Sequence, residues 1–364
     1  MRKFLQKILL KPVLWATAKF SSKPEREKIF RALDKLYRNI LSDPGKKGLV
    51  VPFELQSGKF IIFSDQHKGA RNGADDFAFS EHNYLAALDH YNKQEFIFIS
   101  LGDAEELWEN TLSQVKKNNL ATFEAEKKFV QEKRFIKIFG NHDLFWDNDP
   151  IAWWHLKRIY KEEVKIYEGA VLAVSAGDKP IHIFCAHGHQ GDAKSDGNWF
   201  SKFFVANIWG PLQAYLRINP NTPAYDGEKK TLNNDIMYEW SSQQKDMLLI
   251  TGHTHQPVFA SLTHLERLYK KFQLANGGSN VKQAAELKEE IRKREKEFTS
   301  VAVDYMSMKP FYFNSGCCCF NDGDITGIEI ADGHISLVKW KHKDESAERE
   351  VLESISLVEL ATSV

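Results

Sequence analysis

Five short polar segments of this chain combine carboxylates, imidazoles and a carboxamide in a way that suits divalent cations. They are Asp65-Gln66-His67, Gly102-Asp103 with Glu106, Gly140-Asn141-His142-Asp143, His187-Gly188-His189 and Gly252-His253-Thr254-His255. Oxygen and imidazole donors without thiolate favour a pair of borderline divalent metals. Each segment directly follows a short apolar run: Ile61 to Phe63, Phe98 to Leu101, Ile136 to Phe139, Phe184 to Ala186 and Leu248 to Thr251. Such runs read as strands, and in open α/β sheets ligands bind beyond the carboxyl ends of the strands. One shared site is therefore expected. Asp65/His67 and His253/His255 are two residues apart, so extended backbone would aim both members of each pair to one side. Glycines beside Asp103, Asn141, His187 and His253 allow tight turns and close backbone approach.

The elements that must position these residues are legible in outline. Residues 25–41 read as a helix with Ile29, Leu33 and Leu36 on one face, stopped by Asp43-Pro44-Gly45. Strand-like runs then recur at Lys59 to Ser64, Phe96 to Leu101, Phe135 to Phe139, Val171 to Ser175, Ile181 to Ala186 and Met247 to Thr251, mostly separated by helical spacing. That alternation predicts a largely buried sheet with helices on its faces. The aromatic-rich stretch 196–240 reads as a helical cap insertion, and the Glu/Lys/Arg-rich stretch within 265–305 as a solvated surface helix. After Phe311, turns at Asn321-Asp322-Gly323 and Asp332-Gly333 predict antiparallel strands. The expected division is a leader over 1–50, a main domain over 51–340 carrying both insertions, and a tail over 341–364.

In order and spacing, D-x-H, G-D-x-x-E, G-N-H-D, H-G-H and G-H-T-H resemble the calcineurin-like metallophosphoesterase family. The resemblance spans 65–255, with the C-terminal strands resembling the family's second sheet, and it implies a four-layer αββα sandwich. It implies one metal held by Asp65, His67, Asp103 and His255 and another by Asp103, Asn141, His187 and His253, with Asp103 bridging. It further implies a water made nucleophilic between the metals for in-line phosphoryl displacement. His142 would contact a phosphoryl oxygen or protonate the leaving group. Glu106 stands where the family often has Asp to orient that histidine. His189 follows the same strand as His187 and is the alternative ligand; the family's usual choice is the first histidine, leaving His189 as a substrate contact. The cofactor implied is two divalent ions, Mn²⁺ ahead of Fe or Zn²⁺.

Within that family, G-D-x-x-E-x-W at Gly102 to Trp108 and the insertion before G-H-T-H are similar to the UDP-2,3-diacylglucosamine pyrophosphatases, although that group carries Arg where His142 stands. The expected reaction is hydrolysis of a phosphodiester or pyrophosphate in a nucleotide- or lipid-linked substrate. Lys68 and Arg71 are candidates for non-bridging phosphate oxygens, with solvated loop charges as the alternative. A phosphatase or phosphodiesterase of small or nucleic-acid substrates, and a non-catalytic scaffold of the same fold, are the competing readings.

Composition narrows the setting. The 364 residues carry 49 basic and 49 acidic side chains, so no global field draws nucleic acid, and no nucleic-acid partner is expected. Four cysteines, three of them consecutive at Cys317 to Cys319, exclude a disulfide scaffold and fit a reducing, cytoplasmic setting. The triplet reads as a buried strand edge in preference to a chemical site. Residues 1–24 hold six basic and no acidic side chains with one apolar face. A helix lying on the inner membrane surface and a helix docked on its own domain are both open readings.

Overall fold

The structure is a computed structural model that describes residues 24–72, 75–176, 179–191, 227–277, 281–294, 306–343 and 346–363. Along the chain the elements are α1 (Arg26–Ser42), β1 (Gly48–Pro52), β2 (Phe60–Phe63), α2 (Glu81–Lys93), β3 (Ile97–Leu101), α3 (Leu112–Asn118), α4 (Leu120–Gln131), β4 (Phe135–Ile138), α5 (Phe145–Asn148) and α6 (Ala152–Tyr160). They continue as β5 (Ile166–Tyr167), β6 (Gly169–Ala176), β7 (Lys179–Ala186), α7 (Gly227–Ser242), β8 (Met247–Thr251), β9 (Val258–Phe259), β10 (Leu262–Thr263), α8 (His264–Gly277) and α9 (Val281–Arg294). The last are β11 (Tyr312–Asn314), β12 (Ile325–Ala331), β13 (His334–Lys343), β14 (Ser346–Ser356) and α10 (Leu357–Ser363).

The strands form two sheets, ordered β1-β6-β7-β8-β11-β9-β10 and β14-β13-β12-β2-β3-β4-β5. Burial on both faces explains the nearly unbroken apolar runs. In β2, Phe60 and Ile62 face the space between the sheets, while Ile61 and Phe63 face the helices outside. The inter-sheet core is filled from one side by Ile99, Leu101, Ile138 and Ile328, and from the other by Leu172, Ile183, Leu248 and Phe313. Outside the first sheet lie α1, through Ile29, Leu33, Leu36 and Ile40, and α7, through Ile236, Met237 and Trp240. Outside the second lie α2, through Tyr84, Leu88 and Tyr91, and Phe129 of α4. The order of layers is helix, sheet, sheet, helix, as expected for the αββα sandwich.

Several boundaries differ from the expectation. The stretch 341–364 is not a tail: β14 pairs with β13 from His334↔Ser356 to Lys343↔Ser346, and α10 places Leu357 and Leu360 in the central core. Its many charged residues hid a half-exposed edge strand whose outer face is solvated. The leader is likewise integrated, since α1 packs on the first sheet and β1 pairs with β6. Of the expected cap at 196–240, residues up to 226 lie outside the described residues, but α7 is a layer helix whose Trp240 is buried and donates through Nε1 to Asp34. The charged insertion holds two helices, α8 and α9, which pack together through Leu265, Leu268 and Ile291. The Asp332-Gly333 turn joins β12 to β13, with φ of 51° and 72° at the two turn residues, as a two-residue hairpin loop requires. Residues 1–23 lie outside the described residues, and among the described ones no helix is long and apolar enough to cross a membrane.

Candidate metal centre

The strands β2, β3 and β4 run parallel and adjacent in one sheet, and β7 and β8 run parallel in the other. Their carboxyl ends release Asp65, Asp103, Asn141, His187 and His253 into one place. Three groups of donor atoms, each within 4.8 Å of one another, result: Asp65/His67/His255, His67/Asp103/His142 and Asp103/His187/His253. Asp103 is common to two of them, the position a bridging carboxylate would take.

The side chains do not converge by strand alternation. The strands end at Phe63 and Thr251, and Asp65, His67, Asp103, His253 and His255 all have positive φ, between 50° and 69°. A left-handed residue with a Cβ costs about 1–2 kcal/mol, and such strain persists where the surroundings over-determine it. Here the surroundings are backbone hydrogen bonds continuing past the strand ends. Asp65 N donates to Gly102 O at 3.0 Å, His67 N to Asp103 O at 2.9 Å and Lys68 N to Ala104 O at 3.1 Å. The first two ligand loops are thereby zipped together. Two glycines make room: a Cβ at Gly140 would lie 2.2 Å from Asp103 Oδ1, and one at Gly252 would lie 2.5 Å from Asp65 Oδ2.

Three imidazoles are oriented by a hydrogen bond at Nδ1. His187 Nδ1 donates to Leu101 O at 2.8 Å, which directs Nε2 to within 3.1 Å of Asp103 Oδ2. Glu106 Oε2 accepts from Nδ1 of both His67, at 2.9 Å, and His142, at 2.7 Å. His67 Nε2 then faces His255 Nε2 at 3.2 Å, and His255 Nε2 lies 3.2 Å from Asp65 Oδ1. Asp65 also accepts from His253 N at 2.9 Å and from the Ser64 hydroxyl, while Asp103 Oδ1 accepts from His142 N at 2.8 Å.

Divalent cations fit these donors. Asn141 Oδ1 is buried and makes no hydrogen bond, an arrangement that costs free energy unless a ligand completes it. Asp65 and Asp103 are buried together. Burial and their mutual repulsion would raise the Asp65 carboxyl, but His187 and His255 hold it down at about 2, and His187 with His142 holds Asp103 well below the usual range. In return, against the penalty of burial, Asp103 and Asp65 bring His187 up to about 9, and Asp65 brings His255 up to about 10. Protons and cations compete for this negatively charged place. His142 is likewise raised to about 10 against burial, chiefly by Glu106 and Asp103.

Not every expected substrate contact reaches the site. Lys68 is fully buried and pairs with Glu126 at 2.6 Å and Glu105 at 3.1 Å, in a network closed by Lys137, Tyr84, Tyr160 and Trp146. Arg71 donates to Asn119 Oδ1 at 2.9 Å and Asn118 O at 3.1 Å and pairs with Glu81. Both cations have partners within the fold, and Lys68 has no exposed surface. His189 is buried 5.4 Å, ring to ring, from His187; burial and the positive His187 and His253 push its imidazole well below the ordinary range, so it is neutral.

Sequence reasoning missed the contributions of four residues. Trp108 stacks on His142, with centroids 5.0 Å apart and planes at 23°. Asn314, the last residue of β11, donates to Gly252 O at 2.6 Å and so holds the last ligand loop. Cys317 and Cys319, expected only as a buried edge, stand with His255 in a fourth group of donor atoms within 4.8 Å of one another. The contact of Trp108 was the most accessible of these, since it lies two residues after Glu106.

Residues 58–257 match the sequence model of the calcineurin-like phosphoesterases. No curated protein matches the chain. Among solved structures, Vacuolar Protein Sorting 29 from Cryptosporidium parvum aligns over 83% of this chain and 99% of its own, at 10% identity and a TM-score of 0.34. A single mutant of Vps29 from Entamoeba histolytica covers 81% and 98%, at 12% identity and a TM-score of 0.33. A dimetal phosphatase from Danio rerio covers 82% and 100%, at 9% identity and a TM-score of 0.31.

Proposed function

The chain belongs to the calcineurin-like phosphoesterase family, and from that premise we propose that it hydrolyses a phosphodiester or pyrophosphate bond at a two-cation centre. The observation that carries this reading is the two donor groups that share Asp103, His67/Asp103/His142 and Asp103/His187/His253, with Asp65 and His255 grouped beside His67. We assign Asp65, His67, Asp103 and His255 to one cation and Asp103, Asn141, His187 and His253 to the other. Bound there, two divalent ions supply a nucleophile from water near neutral pH and stabilise charge on the entering and leaving oxygens.

The chain's own residues do the rest. Glu106, hydrogen-bonded to Nδ1, favours the charged form of His142. With Nδ1 held by Glu106, its Nε2 proton is the one available to a phosphoryl or leaving-group oxygen. Trp108 lies flat against the ring and limits its rotation. Neutral His189 offers a substrate a hydrogen bond rather than a charge. A nucleotide- or lipid-linked substrate is supported by the aromatic composition of 196–226 and the basic, apolar N-terminus.

The test is hydrolysis of bis-p-nitrophenyl phosphate and p-nitrophenyl phosphate by protein reconstituted with Mn²⁺, beside a UDP-linked pyrophosphate. Metal-dependent turnover of the diester or pyrophosphate is expected. A preference for the monoester would overturn the proposed bond type, and cation binding without turnover of any of the three would overturn the enzymatic reading.

A further inference from the structure

The two nitrogens of His255 face different chemistry. Nε2 faces Asp65 and His67, all oxygen and nitrogen, while Nδ1 lies 3.6 Å from the sulfur of Cys319. Cys317 completes this second group, with its sulfur within 4.8 Å of the other two donor atoms. Cys318, between them, points the other way into the helix-sheet core beside Tyr84 and Phe63. The alternation thus sorts the triplet into one packing residue and two that share a face with a histidine.

The His255–Cys319 spacing matches one edge of a coordination shell, and Cys317 lies within 4.8 Å of both. For a tetrahedral cation with metal–sulfur bonds of about 2.3 Å and metal–nitrogen bonds of about 2.0–2.1 Å, the nitrogen and sulfur stand about 3.5 Å apart. The observed 3.6 Å fits without movement of either side chain. Two thiols and an imidazole select a softer cation than the carboxylate-rich groups next door. Cys317 is 1% exposed and Cys319 8%, so the sulfurs are shielded from bulk solvent; the His255 side chain keeps 11%.

We propose that His255 Nδ1 and the thiols of Cys317 and Cys319 form a separate site for a thiophilic d¹⁰ cation of the Zn²⁺ or Cd²⁺ class. On loading, three metal–ligand bonds form and the protons of both thiols and of Nδ1 leave to solvent. The ring then has no proton left to hold at Nδ1, and its Nε2 lone pair still faces Asp65. A soft cation here therefore acts on the neighbouring centre through a shared side chain.

The test uses full-length protein saturated with Mn²⁺ and then titrated with Cd²⁺ alone. A thiolate-to-cadmium charge-transfer band in the ultraviolet is expected to grow to one equivalent, to be absent from Cys317→Ser and Cys319→Ser, and to persist in Cys318→Ala. X-ray absorption at the cadmium edge of the wild-type protein needs no variant and is expected to show sulfur in the first shell. A shell of nitrogen and oxygen only, a band that survives the double Cys317/Cys319 change, or a band lost in Cys318→Ala would each overturn the assignment.

Discussion

Nδ1 of His142 lies 2.7 Å from Oε2 of Glu106, and that same oxygen is 2.9 Å from Nδ1 of His67. One carboxylate oxygen therefore orients a ring assigned to proton donation and a ring assigned to cation binding. Glu106→Gln is expected to lower kcat by about 10²-fold, the lower range of a general-acid contribution, and to weaken the first cation as well. Steady-state kinetics with metal titration separate the two effects. Unchanged kcat at saturating Mn²⁺ would remove His142 and Glu106 from the chemistry.

His187→Ala removes the imidazole whose tautomer Leu101 O fixes. Bound metal is expected to fall from two equivalents to one, read by elemental analysis of protein equilibrated at matched free Mn²⁺. A variant that retains both equivalents would shift the assignment to His189.

Trp108→Ala strips the stacked face from His142. Aromatic pairs contribute about 0.5–1.5 kcal/mol beyond burial, so kcat should drop by roughly 2- to 12-fold, and Trp108→Phe should recover most of it. Equal losses in both variants would point to the indole N–H rather than the stack.

Lys68→Met tests the internal commitment of that cation. Breaking a buried ion pair from one side costs about 3–5 kcal/mol, which urea unfolding would register. KM at saturating metal should stay near the wild-type value. A raised KM with unchanged stability would restore Lys68 as a phosphate contact.

Acid stability should carry the signature of Glu105. Burial raises its carboxyl, but Lys137 and Lys68 outweigh that and hold it at about 2, below its ordinary 4.5. A carboxylate with a depressed folded pKa stabilises fully above the ordinary value and loses that contribution as pH falls through about 2. Melting temperature from pH 7 to 2 should therefore fall less steeply below 4.5 in Glu105→Gln than in the wild type. Parallel curves would contradict the network's role.

Much of the site was legible because each proposed ligand follows an apolar run, and a strand end is visible within a few residues of sequence. What required the folded chain were partners separated by long loops. Lys68 looked like a free loop cation because Glu126 is 58 residues away. Cys319 looked inert because its histidine is 64 residues back. The positive φ values were hidden for another reason: Asp and His at those positions are chosen for what they bind, so their types do not announce a left-handed backbone as glycine would.

The backbone ladder that runs on past β2 and β3 joins Asp65, His67 and Asp103 more tightly than their separation in sequence would imply. Lys68 and Glu105 pair through both backbone and side chain immediately beneath. The two loops are therefore tied to each other at three successive backbone positions, and a displacement of one would pull on the other.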